Sequence, residues 1–212
     1  LGDRPTVASS DAIEAILALE PDLVLGTPYA DAAYLARLRE AGVRVEDTGQ
    51  MVGLDSTLAA IDRLGALLDE PERAAALVAR LRAQADSLDA AVPTAAEVPG
   101  MYLSATGGAL YGGTVGSSYA DLLRLGGIRD VAARAGHTGW PRYSVEEVLT
   151  LRPRVVVTVE GGREAICGHD ALIAVPACGP GGTIVELDSA LAGDPGLGLL
   201  EAARRVQGQL HR

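Results

Sequence analysis

Few residues in this sequence are suited to holding a ligand, and they gather on loops. Trp140 is the only tryptophan in a chain with six Tyr and no Phe, and it lies within Gly139-Trp140-Pro141-Arg142-Tyr143-Ser144. A lone indole on a Gly/Pro-rich loop offers a flat face for stacking on a planar or macrocyclic ligand; the competing reading is a tryptophan that plugs one end of a lobe. Upstream, Gly112-Gly113-Thr114-Val115-Gly116-Ser117-Ser118 follows a strand pattern and opens a helix pattern from Tyr119 to Leu125. Such a turn brings backbone close to a ligand and leaves N–H groups free at a helix N-terminus; a purely structural turn fits nearly as well. Cys167 and Cys178 are eleven residues apart. In an oxidising compartment they could pair across that short loop, and otherwise they are two small unpaired core residues.

Signatures of covalent and phosphoryl chemistry are missing. There is no Gly-x-Ser-x-Gly elbow, phosphate-binding P-loop, His-Glu-x-x-His or Cys-x-x-Cys, and the turn at Gly112 lacks the Gly-x-Gly-x-x-Gly spacing of a dinucleotide site. Cys167 and His169 flank Gly168 without forming a nucleophile–base pair. Three scattered His residues are too few for a bare zinc or manganese site. A small Rossmann-like transferase or hydrolase with an unrecognised site remains the alternative class.

Composition narrows the partners. With 48% hydrophobic and 22% charged residues the chain is globular rather than disordered. All 18 basic residues are Arg and the net charge is −10, so there is no basic stripe for phosphates and no attraction to nucleic acid or anionic membrane. No apolar run reaches the roughly 18 residues of a membrane span.

The elements that carry these loops follow from periodicity. Ser10 or Asp11 caps a helix running to Leu19, Glu20-Pro21-Asp22 breaks it, and Leu23–Gly26 reads as a buried strand. A helix over 30–41 and a strand over 43–46 follow, and helix–strand alternation of this kind implies parallel pairing. Leu58, Ile61, Leu64, Leu68, Leu77, Leu81 and Leu88 mark one long helical stretch from Asp55 to Ala91, with a bend at Pro71. Strands at 101–103, 155–159 and 183–187 and a closing helix over 198–210 complete the chain.

One motif occurs twice. Residues 13–25 read IEAILALEPDLVL and residues 145–157 read VEEVLTLRPRVVV, with Glu14/Glu146, Leu17/Leu149, Leu19/Leu151 and Pro21/Pro153 in register. Two pseudo-equivalent lobes, one on each side of the long helix, account for this better than a recurring loop does.

The repeat, the long helix between its copies and the stretch from Gly112 to Leu149 resemble the ABC-importer substrate-binding proteins that carry cobalamin, haem and ferric siderophores, over nearly the whole chain. The resemblance implies an α/β fold of two Rossmann-like lobes with parallel sheets joined by a long rigid helix. The lobes would be 1–54 and 93–212, and the helix 55–92. Members of that family begin with a further strand, helix and strand, so the first lobe is expected to be incomplete. The resemblance also implies a periplasmic protein or cell-surface lipoprotein that acts as a monomer with no intrinsic cofactor. It would take a metal chelate, a corrinoid or haem ahead of a ferric siderophore, from the inter-lobe cleft to ABC permease subunits.

Site residues carry over one at a time. Glu14 and Glu146 match the two glutamates that dock on permease arginines, a pairing suited to bidentate contacts, although a Glu in a first helical turn is also favoured by the helix dipole. Trp140, with Arg142 beside it, and the turn residues Gly112, Gly113 and Thr114 match positions lining the ligand cleft. So do Asp188 after the last strand and Thr27, Pro28 and Tyr29 after the strand at 23–25. Open parallel sheets bind ligands beyond the carboxyl ends of their strands, which agrees independently. Tyr111 and His137 lie near the same edge and either could ligate a haem iron, though an isolated loop His is ordinarily just exposed.

Overall fold

The computed structural model describes residues 13–27, 30–92, 97–193 and 196–210. Ser10 and Asp11, the expected helix caps, and Pro28 and Tyr29, two of the expected ligand residues, lie outside them. The chain forms two compact units, residues 1–50 and 51–212.

The first unit contains helix α1 (Ile13–Leu17), strand β1 (Val24–Gly26), helix α2 (Ala32–Glu40) and strand β2 (Val45–Asp47). The strands pair in parallel with Val24 opposite Val45. Asp31 caps α2 by accepting from the Tyr34 N–H at 2.8 Å. Tyr34, Leu38 and Val45 are buried, with Ile13, Ile16, Leu17, Val24, Leu35 and Val43 packed on them. A two-stranded sheet is a small one.

The second unit opens with helices α3 (Leu54–Leu67) and α4 (Pro71–Ala91). The expected single rod over 55–92 is therefore corrected: the chain reverses between these helices and folds them against each other. Asp69 takes a left-handed conformation, φ 58°, and Pro71 occupies the first turn of α4, where its missing N–H costs nothing. Gly65 lies so close to Ala74 that a Cβ at Gly65 would overlap it. Doubling back buries both apolar stripes, with Leu58 on α3 and Val78, Leu81, Ala85 and Leu88 on α4 joining one core.

That core lies under a four-stranded parallel sheet, ordered β6-β3-β8-β9, of β3 (Val98–Tyr102), β6 (Ile128–Asp130), β8 (Val155–Val159) and β9 (Thr183–Leu187). Side chains alternate across its faces. Tyr102, Val155, Val157, Val185 and Leu187 meet the hairpin, helix α5 (Ser118–Leu125) and helix α10 (Gly198–Leu210). Met101, Val156 and Ile184 face helices α6 (Val131–Arg134), α7 (Val145–Leu151) and α8 (Gly162–Cys167). Burial on both faces is why Val155, Val156 and Val157 follow one another without a polar residue between them.

The hairpin is fastened to this unit by polar contacts. Asp121 on α5 accepts the Leu54 N–H at 2.7 Å. Arg124 pairs with Asp89, and the Gln207 amide donates to the carbonyls of Leu88 and Leu125. Cys167 and Cys178 are disulfide-bonded with Cα atoms 5.6 Å apart, which closes the loop after α8. Among the described residues no helix is long and apolar enough to cross a membrane.

Candidate ligand-binding edge

The candidate residues of the second unit gather at the carboxyl ends of its strands. A small antiparallel sheet of β4 (Ser104–Thr106), β5 (Ala109–Tyr111) and β7 (Arg142–Tyr143) grows out of this edge. Tyr111 lies opposite Arg142, and Leu110 lies opposite Tyr143. Directly opposed residues share a face. Leu110 and Tyr143 point into the core, so Tyr111 and Arg142 share the outer face with Ser104 and Thr106. Among the described residues Arg142 makes no ion pair.

Beyond β5 the glycine-rich turn runs beside the Trp140 loop. Gly112 N–H donates to Pro141 O at 3.1 Å, Thr114 N–H to Gly139 O at 3.1 Å, and Gly139 N–H to Val115 O at 2.6 Å. Gly112, Gly113 and Thr114 are buried, and the Thr114 hydroxyl donates to Asp130. The N–H groups of Gly112 and Thr114 are thus not free, contrary to expectation. The two glycines meet demands from behind the turn: a Cβ on Gly113 would overlap the Tyr119 ring, and one on Gly112 would lie 2.8 Å from Tyr143 Cε2. The turn exposes Val115 and Gly116 instead.

Trp140 is 47% exposed and does not plug the lobe. Its ring centroid lies 5.0 Å from Tyr119 and 5.7 Å from Tyr102, and those two tyrosines are 3.9 Å apart. The Tyr119 hydroxyl donates to Ala192 O at 2.7 Å. Burial pushes the Tyr102 phenol well above its ordinary range, helped by the Tyr119 phenol beside it, and burial likewise raises Tyr119. Both stay protonated at neutral pH. Sequence reasoning missed Tyr102 and Tyr119, whose one signal was to flank the glycine-rich turn in an aromatic-poor chain.

Other candidates have structural partners. Asp188 caps helix α9 (Ser189–Ala192) by accepting from Leu191 N–H at 2.8 Å, and it pairs with Arg205 at 3.0 Å. Asp130, also missed in the sequence, caps α6 through the Ala132 and Ala133 N–H groups. His137 packs edge-on to Tyr143 with ring centroids 5.0 Å apart. Among the described residues no group of three or more His, Cys, Asp or Glu could hold a metal. In the first unit, Thr27 is exposed just after β1 and its carbonyl accepts the Ala30 N–H.

The two repeat glutamates are placed alike. Glu14 and Glu146 are exposed in the first turns of α1 and α7. Ser144 and Glu147 form a reciprocal capping box on α7, and its hydrogen bonds hold the Glu147 carboxyl below its usual range. That leaves capping to Glu147, and Glu146 free of it.

The sequence profile of the periplasmic binding proteins matches residues 7–206. The chain belongs to this family. The cobalamin-binding protein of Halobacterium salinarum is 24% identical over 211 residues, covering 96% of this chain and 57% of that one. The chain therefore spans a little over half the length of the curated relatives it matches. Among solved structures, the periplasmic haem-binding protein HutB of Vibrio cholerae is 25% identical with a TM-score of 0.83, over 95% of this chain and 81% of that one. A possible iron-binding periplasmic solute-binding protein of Staphylococcus epidermidis is 19% identical with a TM-score of 0.81, over 94% and 80%. The second of these shows the shared fold alone. As a periplasmic binding protein, the chain places its exposed indole at the strand ends where open parallel sheets take ligands.

Proposed function

We propose that this chain is the extracytoplasmic substrate-binding component of an ABC importer, and that it captures a metal chelate, a corrinoid or haem ahead of a ferric siderophore. One observation carries the ligand class. Trp140 stands half exposed on a base of Tyr119 and Tyr102, and such an indole stacks on a macrocycle with about 0.5–1.5 kcal/mol beyond simple burial. The cobalamin- and haem-binding relatives favour the same class. Arg142 and Tyr111, on the outer face of the small sheet, supply polar contacts, and Val115 extends the apolar surface beside the indole. Asp188, Gly112, Gly113 and Thr114 contribute by shaping this edge, and the resemblance adds Thr27 and Tyr29 from the first lobe. A trianionic catecholate chelate needs several convergent cations, and the edge offers Arg142 in a chain of net charge −10.

In this reading the protein acts as a monomer, performs no chemistry on its cargo, and presents Glu14 and Glu146 to arginines of the permease. The disulfide suits an extracytoplasmic setting. Titration with cobalamin, haemin and ferric siderophores, following the fluorescence of the single tryptophan and the visible spectrum, tests the proposal. Saturable quenching by a macrocycle is expected. Tight siderophore binding with no quenching by either macrocycle would reverse the ranking, and binding of none of the three would end the chelate reading.

A further inference from the structure

The base on which Trp140 stands is built more carefully than a surface side chain needs. Tyr119 lies between Tyr102 and Trp140, 3.9 Å and 5.0 Å from their ring centroids. Its ring is boxed in by Gly113, where no Cβ fits, and its hydroxyl is anchored 2.7 Å from Ala192 O. Ala192 ends α9, the helix that Asp188 caps. The indole loop gains further restraint from backbone bonds with the glycine-rich turn. Glycine and anchor together hold the Tyr119 ring in place, and the indole stands against it.

We infer that Tyr119 is a positioning residue: it holds the Trp140 indole at one orientation on the strand-end edge, preorganised for a flat ligand. This rests on the chelate reading for its purpose, though the positioning itself does not need a ligand to be seen. The physical benefit is entropic. An indole already fixed by its neighbours loses little rotamer freedom on binding, whereas a free exposed one must be ordered at that moment. The same logic explains Gly113, which is small because the tyrosine ring must stand where its Cβ would be.

The single tryptophan makes the test direct, because all indole fluorescence comes from Trp140. Tyr119→Leu should shift ligand-free emission to the red, lower its anisotropy and remove the near-ultraviolet dichroism of the coupled rings. Tyr119→Phe, which keeps the ring and loses the anchor, should retain most of that signature. Gly113→Ala should displace the ring and reproduce the Leu result with Tyr119 still present, so the test survives if Tyr119→Leu does not fold. Affinity for haemin or cobalamin should fall about two- to tenfold in Tyr119→Leu, the range set by an aromatic pair. In a Trp140→Leu background the same change should have almost no further effect on affinity. Emission, anisotropy and dichroism unchanged from wild type in both Tyr119→Leu and Gly113→Ala would overturn the positioning role. Failure of the wild type to bind either macrocycle would overturn the chelate reading instead, with the ligand-free spectra still deciding the role of Tyr119.

Discussion

Glu20 and Arg152 hold the same left-handed backbone conformation, φ 48° and 49°, at matching places in the two copies of the repeat. Each follows a short helix with an exposed glutamate in its first turn, and each precedes a proline and a parallel strand. In α7 the turn is closed by the Arg152 N–H on Val148 O. Non-glycine residues in this region carry a steric cost of about 1–2 kcal/mol, and glycine gives back about 0.5–1 kcal/mol in chain entropy. Arg152→Gly should therefore stabilise the second lobe by about 0.5 kcal/mol, raising its Tm by about 1–2 °C. Glu20→Gly should act likewise on the first lobe. Thermal unfolding checks this, and a fall in Tm would show that the arginine side chain, not backbone strain, governs the junction.

The repeat was legible because its determinants are local: a capped turn, a helix stop, a proline and a β-branched run. The hairpin was not. Leu58, Ile61, Leu64, Leu77, Leu81 and Leu88 keep the same period in a rod and in two antiparallel helices, and the outcome turns on Asp69 and on two small residues that meet only in three dimensions. Trp140 was legible by its rarity. Tyr119 and Tyr102 were not, since a helix and a distant strand bring them together. Gly112 and Gly113 left two readings open because a glycine that admits a ligand and one that admits a neighbour's ring look alike in sequence.

Gly65 gives a direct test of the hairpin. No Cβ fits between it and Ala74, so Gly65→Leu should pry α3 from α4 and cost about 1–3 kcal/mol, as overpacking does. Urea unfolding should show the loss, and hydrogen exchange should show weakened protection across 54–91. A Gly65→Leu protein of wild-type stability would mean the helices are not packed against each other at this point.

The disulfide closes a loop of eleven residues, and a loop near this size lowers unfolded-chain entropy by an amount worth about 3 kcal/mol. The double variant Cys167→Ser/Cys178→Ser should lose about 2–4 kcal/mol. Dithiothreitol should destabilise the wild type by a similar amount and leave the variant unchanged. Equal sensitivity of both proteins to the reductant would exclude this bond as the source.

Glu14→Ala with Glu146→Ala tests the proposed docking on a permease. Both carboxylates are exposed, so their removal should change folding stability by less than about 1 kcal/mol and leave chelate affinity intact. Charges buried in an interface matter far more, about 2–5 kcal/mol each when one partner is truncated. Transport and permease capture should therefore collapse in the double variant. Loss of chelate binding with permease capture preserved would refute the docking assignment.

Tyr143 sets part of the alkaline limit of the second lobe. Its hydroxyl is buried with no hydrogen-bond partner among the described residues, and burial, with Asp130 and Glu147 nearby, pushes its pKa up to about 12. The unfolded chain releases this proton near the ordinary tyrosine value of about 10. Below that pH both states hold the proton and stability is unaffected. Between about 10 and 12 only the folded state holds it, so unfolding releases a proton and stability falls as pH rises. Tyr143→Phe removes this contribution, while Tyr102 and Tyr119, also raised by burial, preserve part of the decline. At pH 7 the variant should be neutral or up to about 1 kcal/mol more stable, because an unpartnered buried hydroxyl is lost without breaking a hydrogen bond. Urea unfolding at pH 7, 9 and 11 checks both statements. The expected result is a shallower fall between pH 9 and 11 than in the wild type. A variant that is markedly less stable at pH 7 would show that the Tyr143 hydroxyl has a stabilising partner after all.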